Sequence, residues 1–178
     1  MRTSSVFLRY SYPNNKHLRD VEISACDYET GKVLGSLKAN VQKDAFYNGS
    51  KFPSSYVDVS KSRGKSQFVK PHLYVEKLFV NEAERNKGIG SKLVKAAAEE
   101  SLIKGCGGRV VVTAANLGGR SPLPFYRKLG FKTGVQALDR ELLDAAKYKY
   151  PFEKVKQAFM ALSNDAISAV KKGLKAIR

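Results

Sequence analysis

The sequence predicts an α/β (α+β) domain in which short strands alternate with helices around one core, and three observations predict it. His72–Val80 reads as a strand and Ser91–Lys104 as a helix closed by Gly105, with the basic glycine-rich turn Arg85-Asn86-Lys87-Gly88-Ile89-Gly90 between them. A second strand, Arg109 to Asn116, precedes a second helix that opens after Ser121 and ends at Gly130. Ahead of both, two β-rich segments flank Asp27-Tyr28-Glu29-Thr30-Gly31, a hairpin signal. At 178 residues and 43% hydrophobic content the chain can bury a substantial single core.

Taken in order, Val6, Leu8 and Tyr10 alternate along residues 4–12, which predicts the first strand. Pro13-Asn14-Asn15 leaves room only for a turn or one helical turn before the hairpin strands, Val21–Asp27 and Lys32–Val41. Residues 42–71 form a long polar insert, with Phe46, Tyr47, Phe52 and Tyr56 as expected packing anchors and Tyr56–Val59 as a short strand. The helix after the glycine turn buries Leu93 and Ala97. Ser121 is the expected cap of the next helix, with Pro122 at its first position and Pro124 in its first turn, where no intrahelical N–H is needed. Beyond Gly134 the pattern is helical: Leu138–Leu143, then Phe152, Val155, Phe159 and Leu162, then Ile167, Val170, Leu174 and Ile177. The last forty residues or so are therefore expected to be helices packed on the core or on a partner.

The formal net charge of +16 calls for anionic partners such as nucleic acid, ribosomes or an acidic surface, and disfavours polycationic ones. Lys61, Arg63, Lys65 and Lys70 lie in a stretch without acids, and Lys171, Lys172, Lys175 and Arg178 cluster near the end. No apolar run approaches a membrane span, and Met1-Arg2-Thr3-Ser4-Ser5 has no signal-peptide core. Cys26 and Cys106 stand far apart, with no CxxC and no His at metal-ligand spacing, so no metal is expected. Both read as reduced thiols of a cytoplasmic protein.

The glycine turn carries the chemistry. A strand, a basic turn and a helix N-terminus make a phosphate pocket, because glycines let the backbone approach and unpaired N–H groups point at the ligand. Leu93 stands where a dinucleotide fingerprint or a kinase loop needs its third small residue. Gly64-Lys65-Ser66 ends like a nucleotide P-loop, but Val59 replaces that motif's first Gly. What remains is R-x-x-G-x-G between a strand and a helix.

That arrangement resembles the acyl-CoA motif of the GNAT superfamily of N-acetyltransferases. The likeness extends to Leu78-Phe79-Val80 before the turn, to the strand ending in Asn116, and to Phe125-Tyr126-Arg127-Lys128-Leu129-Gly130-Phe131, close to the family's FYxKxGF signature. It covers about residues 72–133. The resemblance implies a mixed, mostly antiparallel central sheet flanked by helices. Here the N-terminal helical region is shortened and there are extra C-terminal helices. It divides the chain into an acetyl-CoA-binding part, 1–135, and a helical extension, 136–178. It implies that Arg85, Asn86, Lys87, Gly88, Ile89, Gly90 and Ser91 hold the pyrophosphate of acetyl-CoA. Leu78, Phe79, Val80 and Asn116 would also contact the cofactor, with an amide of Phe79 or Leu78 facing the thioester oxygen. Tyr126 matches the family's donor to the departing sulfur, and Glu76 stands where several members place a general base. The implied reaction is direct attack by a primary amine in a ternary complex, since no Cys or Ser has a nucleophile's context. The insert would lie near the acceptor side. Two alternatives follow from the charge: a CoA-binding module docked on RNA or ribosomes, or an acetyltransferase acting on aminoacyl-tRNA or a ribosomal protein. A homodimer is a further expectation.

Overall fold

Alternating apolar residues and the Asp27–Gly31 turn build the first third of the sheet. In the computed structural model, which describes residues 5–13, 19–43, 45–48, 52–115 and 119–175, β1 (Val6–Ser11), β2 (Asp20–Asp27) and β3 (Val33–Gln42) form an antiparallel meander. The turn closes because Asp27 Oδ1 accepts from the Thr30 amide at 2.8 Å, the Thr30 hydroxyl at 2.8 Å and the Glu29 amide at 3.1 Å. Gly31 takes the positive φ, 69°, that ends it.

The rest of the chain adds β4 (Ala45–Asn48), β5 (Ser66–Val69), β6 (His72–Val80), α1 (Ile89–Ile103) and β7 (Val110–Ala115). After these come α2 (Leu123–Lys128), β8 (Phe131–Lys132), α3 (Gln136–Tyr148), β9 (Gln157–Leu162) and α4 (Asn164–Lys175). Seven strands make the central sheet in the order β1-β2-β3-β6-β7-β9-β8. Every neighbouring pair is antiparallel except β6 with β7. This is the mixed, mostly antiparallel sheet that the sequence led us to expect. Only turns of 3-10 helix precede α1 among the described residues. The Pro13-Asn14-Asn15 turn, His17, Asn116 and Ile177 fall wholly or partly outside those residues.

Two expected elements are corrected. Phe152, Val155, Phe159 and Leu162 keep helical spacing, yet residues 157–162 form β9, an interior strand between β7 and β8. An interior strand buried on both faces reads as an apolar run, here Ala158-Phe159-Met160-Ala161-Leu162, and periodicity cannot tell that from a helix. Tyr56–Val59 is not a strand: Ser54–Tyr56 is a single 3-10 turn, and Val57 makes one bridge to Val69. A smaller shift concerns α2. Pro122 itself takes the N-cap position, and Ser121 Oγ accepts only a long contact, 3.4 Å, from the Leu123 amide.

The insert is ordered by the aromatic residues singled out in the sequence. β4 and β5 pair as a separate hairpin. Tyr47 and Phe52 pack on each other and on Phe159 of β9 with ring centroids 5.0–5.1 Å apart. Phe46 departs from the expectation: it is 56% exposed and meets Phe68 of its own hairpin edge-on. Tyr56 is fully buried, and its hydroxyl sits where the β7–β9 ladder would place its next rung. There it donates to Leu162 O at 2.8 Å and Val110 O at 3.2 Å, and accepts from the Val110 amide at 3.1 Å. Burial pushes its phenol well above the usual tyrosine range. Tyr56→Phe leaves three buried backbone groups without that partner and is expected to cost about 2–3 kcal/mol. Thermal unfolding followed by circular dichroism should show Tm lower by about 5 °C or more. An unchanged Tm would mean that the hydroxyl bridges nothing of consequence.

Candidate active site

The site begins where β6 and β7 stop pairing. Their ladder joins Leu73–Val110, Tyr74–Val111 and Val75–Val112 and goes no further. Beyond it, residues 77–80 of β6 pair only with β3, and residues 113–115 of β7 only with β9. A bulge at Glu76, opposite the step from Lys38 to Ala39, falls at the point of parting and turns β6 away. The result is a notch between two strands with backbone groups on its walls.

Ladder alternation decides which amides face the notch. The Asn81 amide donates to Leu34 O at 2.9 Å, so the paired rungs run Asn81–Leu34, Phe79–Ser36 and Lys77–Lys38. The N–H groups of Leu78 and Val80 therefore point into the notch, while that of Phe79 is taken up by β3. Val80 O, turned the same way, accepts from Arg85 Nε at 3.4 Å, which ties the glycine turn to the strand end.

The turn itself presents donors. No acceptor among the described residues takes the N–H groups of Asn86, Lys87, Gly88, Ile89, Gly90 or Ser91. Asn86 (φ 63°) and Gly88 (φ 81°) are both left-handed, which curls the backbone ahead of α1. The first turn of α1 holds no acid, so its positive dipole end is uncompensated there. Lys87 pairs with Glu84 at 3.1 Å and remains 59% exposed. Gly90 has a different reason to be glycine. A Cβ there would lie 3.0 Å from Cζ of the Phe125 ring, so α2 packs directly on the first turn of α1. That contact holds the turn and the neighbouring Tyr126 in fixed relation. These donors, on a turn with open space beside the left-handed Gly88, fit the diphosphate of a CoA thioester.

The acetyltransferase (GNAT) domain family model matches residues 28–133, more than half of the chain. The chain belongs to the GNAT acetyltransferase family. Among solved structures, a bacterial toxin matches 95% of this chain and 96% of its own, with a TM-score of 0.56 at 13% identity. A point mutant of KacT matches 93% of this chain and 98% of its own, with a TM-score of 0.54 at 10% identity. A Trypanosoma brucei acetyltransferase is 20% identical over 72% of this chain and 93% of that one, with a TM-score of 0.44. At such identities the likeness is one of fold. No curated protein matches the chain significantly in sequence.

Within this GNAT domain Tyr126 is buried at 6% exposure, between the rings of Phe125 at 5.1 Å and Phe131 at 5.4 Å, both edge-on. Its hydroxyl bonds to no described residue, and burial alone pushes its pKa up to about 12. It is a neutral phenol held by ring packing. Glu76 is placed otherwise. It projects beside Lys38 and Asn40 of β3, accepting from Asn40 Nδ2 and pairing with Lys38 Nζ at 3.5 Å. No described contact joins Glu76 to Tyr126. Asn116 lies outside the described residues.

Gly35 escaped the sequence reading. A Cβ on it would meet Phe79 O at 2.8 Å and Ile89 Cγ2 at 3.1 Å, so only glycine lets β3, β6 and the start of α1 converge beneath the turn. A glycine inside a strand pattern was the available signal.

Proposed function

We propose that this GNAT protein transfers an acetyl group from acetyl-CoA to a primary amine by direct attack in a ternary complex. The notch between β6 and β7, beside six turn amides that no described residue takes up, carries this reading. Acetyl-CoA supplies the activated acetyl group. The amides of Asn86–Ser91, with Arg85 and Lys87 beside them, hold its diphosphate. The amides of Leu78 and Val80 line the notch, and that of Leu78 stabilises negative charge growing on the carbonyl oxygen. Tyr126 donates to the departing sulfur. Glu76 takes the amine proton, directly or through water, from its place at the bulge. Release of free thiol from acetyl-CoA, followed with a panel of primary amines, tests the reading. No acceptor-dependent thiol release with any amine would sink it.

Glu76→Gln should lower turnover about 10- to 100-fold and leave acetyl-CoA affinity unchanged, because the side chain lies with Lys38 and Asn40 rather than at the turn. Identical pH–rate profiles for variant and wild type would reduce Glu76 to the partner of Lys38.

A second reading rests on the net charge of +16. On it the acceptor is aminoacyl-tRNA or a ribosomal protein, or the domain binds CoA and docks on RNA or ribosomes without transfer. Arg63, Lys65 and Lys70 in the insert are the contact candidates, with Lys61, which also pairs with Asp58 at 3.7 Å. RNA binding that weakens steeply with salt and competes with acetyl transfer supports it; salt-independent binding opposes it. The same proposal places the protein in the cytoplasm. Any homodimer would use the open edge of β1, where Phe7 and Tyr10 are exposed. No helix among the described residues is long and apolar enough to cross a membrane.

A further inference from the structure

Helix α1 carries an acid on its buried stripe. Ile89, Leu93, Ala96, Ala97 and Glu100 recur at helical spacing and all are buried, so Glu100 takes a place where the pattern calls for an apolar residue. It is 4% exposed. It also lies in the last turn of α1, where the helix dipole already disfavours negative charge. A carboxylate so placed requires donors. The Tyr12 hydroxyl supplies one, to Oε1 at 3.1 Å. Oε2 is buried and has no hydrogen-bond partner among the described residues.

Glu100 forms part of the lining of a cleft whose other walls include Tyr12, Arg19, Val41, Lys43 and Lys104. Lys104 Nζ rests over the Tyr12 ring, 4.8 Å from its centre. Arg19 and Lys43 are exposed at the cleft's rim. Burial and the Glu100 charge hold the Tyr12 phenol above its usual range, so it remains a donor. The cleft thus has an unsatisfied acceptor at its base and cations at its mouth. A plain anion is repelled by Glu100, and a plain cation by the rim and by the net charge of +16. A molecule with both charges answers each end.

We propose that this cleft binds a small amino acid, its ammonium group on Glu100 Oε2 and its carboxylate on Arg19 and Lys43. Tyr12 covers the acid and moves aside as the ammonium enters. The site stands apart from acetyl transfer. Glu100 follows Ile89 by eleven residues, about 16 Å along α1 from the glycine turn.

Calorimetric titration of the full chain without acetyl-CoA tests this, using glycine, β-alanine and γ-aminobutyrate against propylamine and propionate. At least one amino acid should bind about tenfold tighter than either control. Glu100→Gln keeps the shape and an oxygen for Tyr12, and should weaken that binding about tenfold or more. Lys43→Ala, at an exposed position that cannot disturb the fold, should weaken the amino acid and leave propylamine unchanged. If Glu100→Gln does not fold, Lys43→Ala decides alone. No heat from any amino acid at about 10 mM, or binding no tighter than the controls, overturns the proposal. Affinity unmoved by the substitutions overturns it equally.

Discussion

Gly90→Asp is expected to lower acetyl-CoA affinity by more than about a hundredfold in calorimetry. Two effects combine. A Cβ at this position lies 3.0 Å from the Phe125 ring, so any side chain presses on the ring through which α2 packs on the first turn of α1. The carboxylate then adds negative charge in the first turn of α1, at the positive end of the helix, and so opposes phosphate binding there. The two can be separated. Gly90→Ala keeps the steric part alone, and adding Phe125→Leu to it should restore much of the affinity. Gly90→Asp with Phe125→Leu should remain defective, because the charge persists. Intact affinity in the single Asp variant would overturn the assignment of the turn as the CoA site.

Tyr126→Phe is expected to reduce kcat about 10- to 100-fold while acetyl-CoA affinity and Tm stay where they are. The ring keeps its edge-on contacts with Phe125 and Phe131, and the lost hydroxyl bonds to no described residue, so nothing structural pays for the change. Burial places this phenol at about 12, so the wild-type donor is not lost through ionisation between pH 7 and 10. The same shift has a stability sign. The unfolded chain ionises this tyrosine near its ordinary value of about 10, the folded one near 12, so the stabilisation is full below pH 10 and lost as pH rises towards 12. An unchanged kcat would leave Tyr126 a packing residue.

How far the sequence could be read follows from which interactions are local. The hairpin at Asp27, the strand–turn–helix at 72–103 and the helix ending at Gly130 are set by turn chemistry, glycines and periodicity within a few residues, and all are legible. The second half of the insert and β9 are not. Whether Phe159 lies on a helix or a strand depends on β7 being there to pair with it, a partner more than forty positions back. Likewise the sequence offers Leu78 and Phe79 equally as oxyanion donors. Only the register with Ser36 turns one amide to the notch and the other away. Tyr126 stands in a recognisable motif, yet its raised pKa comes from burial that no motif spells out. Glu76 is named from its place on a strand, and its tie to Lys38 depends on β3.

The position of β9 governs the order in which the protein can assemble. The two-residue strand β8 pairs only with β9 among the described residues, and β9 is also the strand that closes β7 on the side away from β6. During synthesis the meander and α1 can pair as they emerge, but β7 keeps an open hydrogen-bonding edge until residue 162 has been made. Pairing of β9 is therefore a long-range event, and only with β9 in place does the Tyr56 hydroxyl gain Leu162 O as its acceptor. A chain interrupted near residue 155 would retain the whole glycine turn and still expose an unpaired interior strand, inviting association with its own kind rather than catalysis.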